Sequence, residues 1–232
     1  MKMLDLFAGR LGWTKAFIAR GWDVTAIDLT EPPELPQGVE FVKCDVLQLG
    51  AMRGRIGVKA QIFGFLHSWA PDFICASSPC EEFAVHGMKH FHPNPPYPEM
   101  GIKLFNHTRD ICEASGLPYV MENVRAAQQF VGKATHHCGS FYLWGNAVPP
   151  LLAQGIVKGM THDPGNKAQY RRRRGKDPFR DKSKFVRARL AAIIPPELSH
   201  CVAEYAERLL GHEQTASGQG PIPSGLSSEG KV

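Results

Sequence analysis

Short, nearly unbroken apolar runs recur along the first half of the chain: Met3 to Phe7, Val24 to Ile27, Val39 to Val42, Phe73 to Ala76 and Tyr119 to Met121. Continuous apolar character, rather than strict alternation, is the pattern of strands covered on both faces. Between the first two runs Trp13, Phe17 and Ile18 make a helical stripe that ends at Gly21, a suitable helix stop. The chain therefore opens as a βαβ unit and is predicted to be α/β, a mostly parallel sheet with helices on both faces. A helical pattern returns from Ile102 to Ala114. From Pro195 a last helix places Leu198, Cys201, Val202, Tyr205 and Leu209 three and four residues apart.

The breaks in the pattern set the boundaries. Residues 86 to 101 hold Pro93, Pro95, Pro96 and Pro98, which deny regular structure and predict a long loop, usually a functional feature in a compact domain. Beyond Gly211 the chain turns rich in Gly, Ser, Pro and Gln, so residues 212–232 are expected to be a disordered tail and residues 1–211 one domain. No internal repeat is present. Met1-Lys2 leads straight into the first strand, with no signal-peptide core and no bilayer-length apolar run, which predicts a cytoplasmic protein with no membrane partner. The six cysteines have no paired spacing and are expected to be reduced.

Charge changes the picture at one place. Residues 171–189 hold ten Lys or Arg against Asp177 and Asp181, a local charge of +8 in a chain of net +5, so the remainder carries −3. A positive block of this density suits a polyanion such as nucleic acid; a solvated charged loop is the plainer alternative.

The candidate chemistry lies at the carboxyl ends of the strands, where ligands of open α/β sheets bind. The first strand runs into Asp5-Leu6-Phe7-Ala8-Gly9-Arg10-Leu11-Gly12, a glycine-bearing turn that lets a nucleoside-like cofactor approach the backbone. Asp28 and Asp45 end the next two strands, placed either to accept hydrogen bonds from a ribose or an adenine amino group or to cap the succeeding helices. The fourth strand leads into Ser77-Ser78-Pro79-Cys80, a thiol in a loop on the same edge. An ordinary thiol, with a pKa of about 8.5, needs neighbouring donors or dipoles to become a nucleophile. The fifth ends in Glu122-Asn123-Val124, where a desolvated carboxyl can keep a proton at neutral pH and donate it.

Asp5 to Gly9, Pro79-Cys80 and Glu122 to Val124, in that order, resemble the ordered motifs of the DNA cytosine-5 methyltransferase family. The likeness extends through Leu104 to Val120 and the final segment from Pro195 to Leu209, about residues 3 to 210 in all. It implies a Rossmann-like class I S-adenosylmethionine-dependent methyltransferase fold with S-adenosyl-L-methionine as cofactor. It further implies that Asp5, Phe7, Ala8, Gly9, Gly12, Asp28, Asp45 and Pro79 line the cofactor site. Cys80 would add to C6 of cytosine while Glu122 engages N3, with Asn123 fixing the Glu122 loop. Arg171 and Arg173, following Gln169, resemble the family's Gln-x-Arg-x-Arg motif; the other segment in that slot is Cys138 to Gly145. The implied partner is DNA, with RNA as the alternative.

This sequence departs from the family where Leu11 replaces a second glycine and Ser77-Ser78 replace Gly-Pro. A sizeable target-recognition module is also missing, so sequence readout would fall to the basic segment, the 86–101 loop or a partner protein. A transfer-RNA cytosine-5 methyltransferase and a catalytically silent nucleic-acid-binding homologue are the rival readings. A metal site at His86, His90 and His92 or at His136-His137-Cys138 matches no established zinc spacing, and none is expected.

Overall fold

Every one of the five apolar runs forms a strand, and in sequence order they are the parallel half of one sheet. The structure is a computed structural model and describes residues 1–59, 65–83, 98–150 and 194–217. The strands β1 (Lys2–Leu6), β2 (Asp23–Asp28), β3 (Val39–Lys43), β7 (Phe73–Ser77) and β8 (Tyr119–Val124) pair in parallel; β9 (His136–Cys138) and β10 (Phe141–Trp144) close one side as an antiparallel hairpin. The seven-stranded order is β3-β2-β1-β7-β8-β10-β9. This is the mostly parallel α/β class that the alternation of elements predicts, in a Rossmann-like form. The chain winds outward from β1 to β3, then returns to the other side of β1, so the switch in direction lies between β1 and β7. Loops leaving two such strands diverge and open a crevice at their carboxyl ends.

Strand alternation explains the two buried layers. Met3, Phe73, Cys75, Val120 and Leu143 face one way and pack with Trp13, Phe17 and Trp22, and with Leu198, Val202, Ala203 and Ala206. These last four lie on the final helix, α4 (Pro196–Ser217), and Phe17 on α1 (Thr14–Ile18). Leu4, Leu6, Ile74, Ala76 and Met121 face the other way, against Phe105, Ile111 and Cys112 of α2 (Glu99–Ser115). A four-residue helix, α3 (Gln128–Val131), links β8 to the terminal hairpin.

Three boundaries differ from expectation. Phe7 falls outside β1 because its φ is +60°, a left-handed conformation that no strand accommodates. The helix expected from Ile102 begins at Glu99, and the Glu82 carboxylate accepts the Gly101 N–H (2.8 Å) to cap its first turn. At the far end α4 continues through Gly211 to Ser217, six residues into the expected tail. The apolar pattern also gives no sign of a second, antiparallel sheet, β4 (Leu49–Met52), β5 (Arg55–Lys59) and β6 (Phe65–Trp69). It covers the α2 layer, with Leu49, Ile56 and Trp69 joining that core. Among the described residues no helix is long and apolar enough to cross a membrane.

Candidate active site

The turn after β1 is built from left-handed residues. Phe7 (φ +60°), Gly9 (φ +49°) and Leu11 (φ +62°) alternate along it. A left-handed conformation is open to glycine but costs a side-chain-bearing residue roughly 1–2 kcal/mol. Leu11 thus keeps the glycine-type backbone although it is a leucine, and its buried side chain packs beside Ala8 and Ala26. The turn is held by Ala8 N–H to the Ile27 carbonyl (3.1 Å) and Leu11 N–H to the Ala8 carbonyl (2.6 Å). Asp28 accepts the Gly9 N–H (2.9 Å) on one oxygen and the Thr30 N–H (2.9 Å) on the other. A carboxylate has about four acceptor positions, so besides tying the turn, a duty the sequence did not announce, Asp28 can still receive the hydroxyl donors expected of it. Beside it Leu29 is 61% exposed at the crevice edge, an apolar surface next to a carboxylate that suits the flat face and polar rim of a nucleoside.

Asp5 serves the turn from below. It is fully buried, and one of its oxygens takes both the Thr14 N–H (3.2 Å) and the Thr14 hydroxyl (2.6 Å), capping α1 from a neighbouring strand. The other oxygen has no hydrogen-bond partner among the described residues. Burial, opposed by those two hydrogen bonds, pushes its pKa up to about 7. Gly12 also serves packing: a Cβ there would stand 2.9 Å from Ile194 Cβ and 3.0 Å from its backbone nitrogen. Asp45 accepts the Leu47 N–H (2.9 Å) and caps the short 3₁₀ turn after β3.

The parallel register of β7 and β8 pairs Ser77 with Glu122, bringing the next loop alongside the Glu122-Asn123-Val124 strand end. Asn123 is fully buried and stitches the two together. Its amide donates to the Ser78 carbonyl (3.0 Å) and the Ser78 hydroxyl (3.1 Å), while its oxygen accepts the Val124 N–H (2.8 Å). The family resemblance assigns Asn123 to the Glu122 loop; it also anchors the loop that carries Cys80. Two further ties hold that loop: Phe83 is buried with Gly101 against its ring, and Glu82 caps α2. Pro79 is exposed and Cys80 half-buried at its tip.

Electrostatics at this edge favour neutral forms. Burial drives the Glu122 carboxyl up to about 8, so it holds its proton at neutral pH, while a hydrogen bond from Ser77 pulls the other way. Burial first, then the charges of Glu122 and Glu81, push the Cys80 thiol up to about 12. The charge that Glu122 carries when ionised is felt at Cys80. The thiol is thus protonated as the site stands, so nucleophilic use of Cys80 requires added positive charge or a proton acceptor.

Trp13 and the two serines have roles here that the sequence pattern does not announce. Trp13, part of the helical stripe, donates its indole N–H to the Ser77 hydroxyl (2.9 Å), and its carbonyl accepts from the Ser199 hydroxyl of α4 (2.9 Å). Ser77 and Ser78 show in the sequence only as a departure from Gly-Pro. Gln169, Arg171, Arg173 and the whole basic segment lie outside the described residues, as do His86, His90 and His92. The alternative slot, Cys138 to Gly145, is the β9–β10 hairpin, with Cys138 in the core and His137 stacked on Tyr142 (4.9 Å). Among the described residues no group of three or more His, Cys, Asp or Glu is placed to hold a metal ion.

No family model matches the chain, and no curated protein matches it. Among solved structures it is similar to a Burkholderia thailandensis 1,6-didemethyltoxoflavin-N1-methyltransferase bound to 1,6-didemethyltoxoflavin and S-adenosylhomocysteine. That likeness is 18% identical with a TM-score of 0.32, covering 62% of this chain and 53% of the other. A second is a protein described as a methyltransferase from an antibiotic biosynthesis pathway of Anabaena variabilis, at 15% identity and a TM-score of 0.30, covering 53% and 38%. The chain therefore spans about half the length of the first structure and less of the second.

Proposed function

We propose that this protein is an S-adenosylmethionine-dependent methyltransferase acting on C5 of cytosine in DNA through Cys80. The reading is supported by the placement, at the carboxyl ends of the paired strands β7 and β8, of a thiol in the loop after one and, on the other, a carboxyl that keeps its proton at neutral pH. The crevice beside them fits the cofactor. Its turn has left-handed backbone at Phe7, Gly9 and Leu11, Asp28 stands at the next strand end, and Leu29 offers exposed apolar surface. Phe7, Ala8, Gly9 and Asp28 would hold the adenosine, with Asp45 at the adenine edge. When bound, S-adenosylmethionine supplies an electrophilic methyl on a cationic sulfonium, whose charge also lowers the pKa of a neighbouring thiol.

Each chain group then has a defined task. Cys80 loses its proton to solvent and its sulfur bonds to C6, while Glu122 gives its proton toward N3, leaving electron density at C5. After C5 is methylated it releases its proton, the C6–S bond breaks, Cys80 departs as thiolate and N3 returns its proton to Glu122. Once the thiolate has taken a proton back from solvent, the net products are 5-methylcytosine, the demethylated cofactor and one proton. Asn123 holds sulfur and carboxyl in register through Ser78. A base inside a duplex is out of reach, so the target must be flipped out, at a few kcal/mol. The positive block at 171–189 supports a nucleic-acid partner.

The test is labelled methyl transfer to duplex DNA, single-stranded DNA and transfer RNA in parallel, with nucleoside analysis, alongside trapping on DNA containing 5-fluorocytosine. Duplex DNA is expected to yield 5-methylcytosine, and the fluorinated duplex a covalent complex that Cys80→Ser abolishes. Trapping that survives Cys80→Ser removes this residue from the mechanism, and label confined to transfer RNA moves the same chemistry to RNA.

A further inference from the structure

Ser77 stands where the resembled family has glycine, and its hydroxyl has been drawn into the site. The β7–β8 register places Ser77 directly beside Glu122 on the same face of the sheet. From the opposite side the Trp13 indole N–H donates to the Ser77 oxygen at 2.9 Å. An indole can only donate, so it occupies an acceptor position and leaves the single serine hydrogen free to be given away. The acceptor beside it is the Glu122 carboxyl, whose hold on its proton the Ser77 hydroxyl weakens against burial. Trp13 is itself fixed: it is 1% exposed, Ser199 of α4 holds its carbonyl, and the adjoining Gly12 lies against Ile194.

We propose that Ser77 is a positioning residue for Glu122, its hydroxyl held from behind by Trp13 and aimed at the carboxyl so that Glu122 meets the substrate ring in one orientation. The relay runs from α4 through Trp13 and Ser77 to Glu122, and it rests for its catalytic meaning on the methyltransferase reading. Its purpose comes from burial. A desolvated carboxyl next to Cys80 drifts toward its neutral form, and a hydroxyl donor restrains that drift while fixing which oxygen stays free.

Around Glu122 the 78–83 loop contributes Cys80, β1 contributes Asp5 one step down the same face, and β10 places the apolar Leu143 opposite. Among the described residues neither β1, β7 nor β10 sets a cation against Glu122.

The experiment tracks the Glu122 carboxyl directly, by carbon NMR of protein labelled at glutamate side chains. Glu122→Gln identifies the resonance, and the parent, Ser77→Ala and Ser77→Thr are titrated without substrate. Removing a donor to the charged form raises a carboxyl pKa, so the Glu122 midpoint in Ser77→Ala is expected to rise by about one unit. In Ser77→Thr, which restores a hydroxyl, the midpoint is expected to return to the parent value. In methyl transfer the alkaline limb of kcat is expected to move up with it, with kcat down about tenfold near neutrality and KM for DNA unchanged. An unmoved midpoint in Ser77→Ala, or an equal displacement in Ser77→Thr, overturns the proposal. Ser77→Gly replaces Ser77→Ala in the same titration if the alanine variant does not fold. A midpoint that moves in a protein transferring no methyl group to cytosine retires the methyltransferase reading and leaves the Ser77–Glu122 bond standing.

Discussion

Asp5 shows how far one buried carboxyl can shape the molecule. Its aspartate is legible in the sequence as the opening of a strand-end motif, but its burial and its duty to Thr14 are not, because both depend on where α1 folds back. A carboxyl whose folded pKa is about 7 stays protonated in the native state across a range where the unfolded chain has ionised. The unfolded state then binds fewer protons, so stability falls as pH rises from the unfolded value toward the folded one, and levels off above it. The slope for one such group approaches about 1.4 kcal/mol per pH unit. Glu122, raised to about 8, adds a second decline that extends slightly higher. Asp5→Asn keeps an acceptor for Thr14 without the titration. Its stability relative to the parent is expected to grow by about 1–3 kcal/mol between pH 5 and pH 7.5 in urea unfolding. Equal pH slopes for the two proteins would show that Asp5 carries no such burden.

At the scale of elements, the parallel strands were legible because apolar runs buried on both faces have few alternatives, whereas the small β4–β6 sheet was not. Its strands carry glycines at Gly50 and Gly57, which weaken the pattern. Gly57 is required there, since a Cβ would stand 2.6 Å from the Phe65 ring. One local signal was available: Met52 pairs with Arg55 across Arg53-Gly54, with Gly54 at φ +75°, a two-residue hairpin. The β9–β10 hairpin was hidden for a similar reason, being short and turned at Gly139 (φ +61°). What joins elements at the site is polar, and it is concentrated in Asn123. Asn123→Ala leaves the Ser78 carbonyl without its buried donor and is expected to lower unfolding free energy by about 1–3 kcal/mol. Hydrogen exchange should quicken in the 78–83 loop and leave the β1–β2 pairing unchanged; uniform acceleration across the sheet would mean that Asn123 supports the fold in general and not this junction.

Across the whole molecule, the first turn and the last helix close on each other beside the crevice. Strand-end reasoning picks out Cys80 and Glu122 as candidates because open α/β sheets gather their chemistry along one edge. It could not find the contact between residue 12 and residue 194, which only the path of α4 creates. Ile194, Leu198, Val202, Ala203 and Ala206 complete the core that Trp13 and Phe17 begin, and Arg20 pairs with Glu207 at the rim of this contact. Gly12 is the tightest point of that closure. An added methyl must displace the backbone of residue 194 as well as its side chain, because the nitrogen lies as near as the Cβ. Gly12→Ala is therefore expected to destabilise the protein by about 1–3 kcal/mol, the usual result of overpacking, with no relief from Ile194→Ala, which retains both crowded atoms. Because Trp13 comes directly after Gly12 and holds Ser77, the strain should reach the site: Gly12→Ala is expected to broaden or shift the Glu122 carboxyl resonance, a readout that simple loss of stability would leave untouched in the folded fraction. Full recovery of stability in the Gly12→Ala/Ile194→Ala double variant would show that side-chain bulk alone sets the spacing, and that the backbone leading into α4 is free to move away from the turn.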